Sequence, residues 1–157
     1  MIMAVTKKAS TYTKVLRKAQ KETAIRLDKA LQATAVEGIT RMINLTPVDT
    51  GAAKYHWFVR ARPNENFNKE NVDGSGKLPI ARAKRDVKLF RTIMILYLVN
   101  AAPYFKYLED GSSKQAPNGI VGITRASLHL VWQAAIKVAF SRNARTAPSG
   151  QVDLVGP

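Results

Sequence analysis

The chain has no cysteine among its 157 residues. That excludes a disulfide framework, a thiol nucleophile and every thiolate metal site, and it suits assembly in a reducing cytoplasm. Histidine is almost absent too. His56 and His129 fall on different segments, without metal-ligand spacing or a close acidic partner in sequence, and read as ordinary surface or core-edge residues. There is no Gly-x-Ser-x-Gly elbow for a serine nucleophile. Asp73-Gly74-Ser75-Gly76-Lys77 lacks the spacing and the Lys-Ser/Thr pair of a phosphate loop and reads as a flexible linker. Glu109-Asp110 is a carboxylate pair in sequence only; neighbours on a turn point apart, and Gly111 follows, so a solvated turn is expected. These absences predict a protein that is not an enzyme and uses no cofactor or metal. Long apolar runs are missing as well. The longest, Ile93–Val99, is far short of the ~20 residues that a membrane span needs. The opening Met1–Val5 precedes Lys7-Lys8 instead of following a charged segment, which is not the order of a secretory signal. A soluble cytosolic product without membrane contact is expected.

Acidic residues are scarce: eleven Asp and Glu face twenty-five Lys and Arg, a formal net charge of +14. Such an excess favours a polyanion or acidic protein surfaces as neighbours, and charge alone does not choose between them. A 46% hydrophobic content in a chain of this length is enough for one domain with a packed core. The expected organisation is a basic N-terminal arm at 1–12, one domain at 13–143 and a tail at 144–157.

From about Tyr12 to Leu45 the pattern is helical. Ala24, Leu27, Leu31, Ala35, Gly38, Met42 and Leu45 recur at steps of three and four, and Pro47 ends the run. Lys54–Arg62 alternates, with Tyr55, Trp57, Val59 and Ala61 on one face and Lys54, His56, Phe58, Arg60 and Arg62 on the other, which predicts a strand. Residues 63–86 are polar and predict an extended loop, a candidate arm that orders against a neighbour. Val87–Asn100 predicts a second strand, covered on both faces, although periodicity alone does not separate it from a buried helix. Tyr104–Asp110 predicts one helical turn that buries Tyr104, Tyr107 and Leu108 and leaves Glu109 and Asp110 outward. A final helix is expected near Thr124, whose hydroxyl would cap it, fading at Ser141–Asn143. The fold class is α+β: a long N-terminal and a C-terminal helix packed on a small, mostly antiparallel sheet, with a long polar loop.

Two clusters carry a resemblance. The first is Thr46-Pro47-Val48-Asp49-Thr50-Gly51 with Trp57 soon after. The second runs from Asn100 through Tyr104, Tyr107, Glu109 and Gly111 to Gln115-Ala116-Pro117-Asn118-Gly119. In order and spacing over roughly residues 20–140 they resemble the neck, or tail-completion, proteins of tailed bacteriophages, the group of tail-to-head joining and minor tail protein Z-like proteins. The loop at 63–86 and the basic N-terminal arm have no counterpart in that pattern. The resemblance implies a structural virion protein of the neck that is present in the host cytoplasm during assembly. It would form a homo-oligomeric ring, a hexamer by the sixfold symmetry of the tail side. Its neighbours would be head-completion or connector proteins and the tail terminator or tail tube, with genome DNA passing through the channel.

The residues themselves read mostly as fold-making. Pro47 ends a helix, Asp49 offers an Asx-type turn, Gly51 supplies an unusual backbone conformation, and Pro117 and Gly119 fix a bend. Two basic groups are singled out as contacts: Lys14, Arg17, Lys18 and Lys21 on the first helix, expected to meet acidic protein, and Arg82, Lys84 and Arg85 near the loop, expected to touch DNA. Two other readings compete with the ring. One is a basic nucleic-acid-binding module that adds Lys54, Arg60 and Arg62. The other is the adjacent tail-terminator protein.

Overall fold

A computed structural model describes residues 2–91 and 94–141. Helix α1 runs unbroken from Ile2 to Leu45. A single turn, α2 (Ala52–Tyr55), leads into strand β1 (Trp57–Arg60). After an irregular stretch come helix α3 (Lys77–Asp86) and a 3-10 turn at Val87–Leu89. Strand β2 (Tyr97–Asn100), the short helix α4 (Phe105–Glu109) and helix α5 (Val121–Phe140) complete the order. The α+β class is borne out, with the sheet reduced to one antiparallel pair, Trp57 opposite Asn100 and Arg60 opposite Tyr97.

The two long helices form one layer. Arg26 stacks on Phe140, Gly38 faces Leu128, and Arg41 donates to Ser127 Oγ at 2.7 Å. The paired numbers rise on α1 as they fall on α5, so the helices run antiparallel. Beneath them Ile39, Met42 and Ile43 of α1 close on Trp57 and Val59 of β1, Ala83 of α3, Val87, Phe90 and Ile120. Burial of this set at ~25 cal/mol per Å² is what holds the helices to the sheet.

Several elements differ from the sequence pattern, each for a physical reason. Helix α1 begins at Ile2, not near Tyr12; nothing between them breaks a helix. Lys54 and Tyr55 are helical because the chain turns at Gly51 before it extends, so the strand is only Trp57–Arg60. Phe58 is buried as well as Trp57 and Val59, since arginine side chains roof the second face. The predicted loop at 63–86 is half helix: α3 buries Pro79 and Ala83 and docks through Arg82. Val87–Asn100 is not one strand; Val87–Leu89 is a 3-10 turn, Met94 and Ile95 are exposed, and pairing begins at Tyr97. In α4 it is Phe105 and Leu108 that reach the core, while Tyr107 is 68% exposed. Helix α5 starts at Val121, and the Thr124 hydroxyl donates back to Ile120 O instead of capping. The tail at 144–157 lies outside the described residues.

Candidate functional site

The two sequence clusters meet in space, around Trp57. Thr46 is buried at the end of α1, where its hydroxyl donates to Met42 O at 2.6 Å and accepts the Trp57 indole N–H at 2.8 Å. The other side of the indole takes Phe105 of α4 edge-on, with ring centroids 5.0 Å apart. A buried indole with its N–H satisfied anchors both clusters to one point.

The turn after α1 is built by glycine and threonine. Gly51 has φ +88°, and a Cβ there would sit 2.5 Å from Gly74 N. Its carbonyl accepts from Tyr55 N and from Asp73 N, so the 73–76 segment is bound to the turn. Thr50 Oγ1 accepts from Ala52 N at 3.3 Å. The predicted Asx role of Asp49 is therefore filled by Thr50; Asp49 is exposed and accepts no hydrogen bond among the described residues. Gln115, from the second cluster, clasps the first: its Oε1 accepts Val48 N at 3.1 Å and its Nε2 donates to Val48 O at 3.2 Å.

Glu109 corrects the sequence reading most. It is not an outward carboxylate but the cap of α5. Its Oε2 accepts from Ile120 N (2.8 Å) and Val121 N (2.7 Å), and its Oε1 from Gly122 N (2.9 Å). Burial acts to raise its pKa, but the three amide donors outweigh it and hold the carboxyl below its ordinary value. The helix dipole favours a negative charge at the same place. Gly119, at φ +75°, is what lets the chain come this close: a Cβ there would lie 2.5 Å from Glu109 O. Gly111 turns the chain at the end of α4, against the Pro117 carbonyl. Pro117 itself is exposed.

Between the clusters lies an open groove of about 750 Å³, lined by Pro47, Val48, Phe67, Tyr104 and Leu108 with Asp49 and Glu70 at its polar side. Partial burial raises the Tyr104 phenol; the Ala53 backbone hydrogen bond opposes that, and the Asp49 charge adds to it. Asp73-Gly74-Ser75-Gly76 is not a flexible linker. The Asp73 carboxylate accepts from Leu78 N and from both Ser75 donors, which caps α3. Burial opposes its ionisation, but these bonds prevail and lower its pKa. A carboxylate in that position would repel a phosphate.

The basic groups separate. Lys14, Arg17, Lys18 and Lys21 are all exposed on α1. Arg82 is not available to DNA: Nη2 donates to Tyr55 O (2.5 Å) and Trp57 O (2.9 Å), and its guanidinium lies 4.1 Å from the Phe58 ring centre. Burial lowers its pKa, partly offset by Tyr55. Lys84 is exposed, and Arg85 is exposed with its Nε on Asp86. Arg60 is held by Glu65 and by Asp86, and Lys54 is buried. Thr46, Asn100 and Gln115 stand inside the two clusters but were given no role of their own by sequence reasoning, and Arg82 was singled out for DNA contact, not for docking. Asn100 ties β2 to α2, donating to Ala53 O and accepting from Ala102 N. Among the described residues no group of three or more His, Asp or Glu could hold a metal ion, and no helix is long and apolar enough to cross a membrane. No family model, curated protein or solved structure matches the chain.

Proposed function

We propose that the protein is a structural component of a tailed-phage neck, a ring that joins the head connector to the tail and lets DNA pass. The observation that supports this reading is the convergence of the two clusters. Residues whose order resembles the tail-completion pattern lock one another through Trp57, Gln115 and Glu109, and what they build is an open groove. A groove framed by backbone hydrogen bonds is suited to receiving a neighbour's side chains. In this reading the copies, six to a ring, meet head-completion or connector proteins on one side and the tail terminator or tube on the other. Charge sets register more than affinity. The protein is then a virion component that passes through the host cytoplasm during assembly.

Electron images of particles labelled on this chain test the reading. A ring of density at the head–tail junction is expected; label along the tail or on the capsid would overturn it. The exposed basic stretch of α1 favours one second reading, a nucleic-acid-binding module. Tight DNA binding by the isolated chain, falling steeply with salt, is the outcome that would select it.

A further inference from the structure

The small sheet has one sealed edge and one open edge. Ala101 N donates to His56 O, so the bonded pairs of the ladder are His56–Ala101, Phe58–Val99 and Arg60–Tyr97. Bonded and unbonded pairs alternate in an antiparallel ladder, which sends the carbonyls of Tyr55, Trp57 and Val59 to the side away from β2. Arginines hold all three: Arg82 of α3 donates to Tyr55 O and Trp57 O, and Arg60 Nη1 donates to Val59 O at 3.0 Å. The same alternation points the backbone amides and carbonyls of Leu98 and Asn100 away from β1. On that side no third strand lies among the described residues. Trp57, Phe58 and Val59 are buried, whereas no residue of β2 is.

An edge with free backbone groups is a template for another strand, and proteins that stay apart place charge, proline or a bulge on it. The β2 edge has none of these. Arg91 and Lys106 bracket the longest stretch of the chain without a charged residue, and β2 lies inside it. Its pairs run without a bulge, and Pro103 comes only after they end. Met94 and Ile95 just before the strand, and Tyr97 within it, are exposed. The occupant follows from what each copy has to offer. Chains at +14 repel one another, and an uncharged edge lets two of them meet without setting like charges opposite. A second copy's β1 is closed by its own arginines; its β2 is open.

We infer that β2 pairs with β2 of a second copy, antiparallel across a two-fold axis, so that two two-stranded sheets become one in the order β1-β2-β2-β1. Leu98 and Asn100 make the new ladder, and Ile95 and Tyr97 of each copy come to lie beside the other's strand. Two short strands are marginal as a sheet, and doubling them gives one of ordinary size. The same surface serves both copies, so the contact closes at two and makes neither ring nor filament by itself. It goes beyond the neck reading and does not depend on it, since a head-to-tail ring would use other surfaces.

Residue-resolved amide exchange, followed by NMR on the full chain at rising concentration, tests the pairing. In dilute solution the Leu98 and Asn100 amides should exchange freely while that of Val99, already in the β1 ladder, is protected. Once dimer dominates, Leu98 and Asn100 should slow about tenfold for a hundredfold rise in concentration, because the monomer fraction falls as the square root of concentration. Ile95→Lys with Tyr97→Lys, at exposed positions, should leave the fold intact and keep both amides fast at every concentration. The absence of cysteine supplies a second measurement on a chain with a single substitution. Tyr97→Cys should cross-link to itself through a short bismaleimide about tenfold more than Leu78→Cys, an exposed position on α3 across the sheet. Leu98 and Asn100 amides indifferent to concentration, a dimer in which they stay fast, equal cross-linking of the two cysteine variants, or growth beyond two copies would each overturn the inference. The place of the protein in particles bears on the neck reading alone.

Discussion

Glu109 accepts three amides at the start of α5, and that one side chain makes the protein acid-sensitive in a defined way. Its folded pKa is lowered relative to the unfolded chain. The stability it contributes is therefore present above the unfolded value of about 4.3 and is lost as pH falls through the folded one. Replacing Glu109 with Gln should destabilise the protein by about 0.5–2 kcal/mol near neutral pH, the usual worth of a helix cap. The gap between variant and wild type should narrow as pH falls below the unfolded value and close only below the lowered folded value, where the wild-type carboxyl is itself protonated. Urea melts at several pH values measure this, and a gap that does not depend on pH would contradict the capping role. Gly51 gives a different prediction at the same scale. Gly51→Val puts a β-branched residue at φ +88° with its Cβ against Gly74, a loss of at least ~1–3 kcal/mol, visible as a fall of several degrees in Tm. Pro117→Ala, at an exposed position that makes only a bend, should cost under ~1 kcal/mol.

Helix α3 shows how a single side chain can dock an element. Arg82 carries the α3 contact to the backbone of residues 55–57, donating to two carbonyls from between the Tyr55 and Phe58 rings. Arg82→Ala leaves both carbonyls without that donor and should cost ~2–4 kcal/mol. Hydrogen exchange should then find the α3 amides unprotected while those of α5 stay slow; uniform loss of protection would refute local docking. This dependence explains why α3 was illegible in the sequence. Only Pro79, Ile80 and Ala83 turn inward as apolar residues, among four basic ones, so no apolar period rises above the polar background. The long helices were legible because their three-and-four spacing persists over many turns. The Glu109 cap was hidden because its donors lie eleven to thirteen residues onward, brought near only by the reversal between Gly111 and Gly119. The strand after Val87 was over-read from hydrophobicity: Ile95 is apolar yet 70% exposed, and pairing waits for Tyr97.

For the molecule as a whole, charge is distributed unequally. The carboxylates are mostly engaged, by Arg60, Arg41, Arg91 and two helix starts, while α1 presents four basic residues without an acid between Thr11 and Lys21. Reversing Lys14, Lys18 and Lys21 to Glu should leave Tm within about a degree or two, since exposed charges away from partners contribute little. In the neck reading the same variant should block attachment of tails to filled heads, scored as free heads and tails by electron microscopy. Normal joining with leaking DNA would instead assign those residues to the genome. Lys84 and Arg85 remain the pair to neutralise for an effect on genome retention; Arg82 is not part of that test, because its loss would unseat α3.

Helix α1 is continuous from one pole to the other, so it has a phase as well as a length. Each residue removed ahead of Arg26 rotates everything before it by about 100° and draws it in by 1.5 Å. Deleting seven residues before Arg26 shortens the rod by ~10 Å but returns its face to within about 20°. Deleting two turns the face by ~200° and presents lysine where tyrosine and leucine had been. Seven should therefore be tolerated better than two, the reverse of what a flexible tether of the same composition would give.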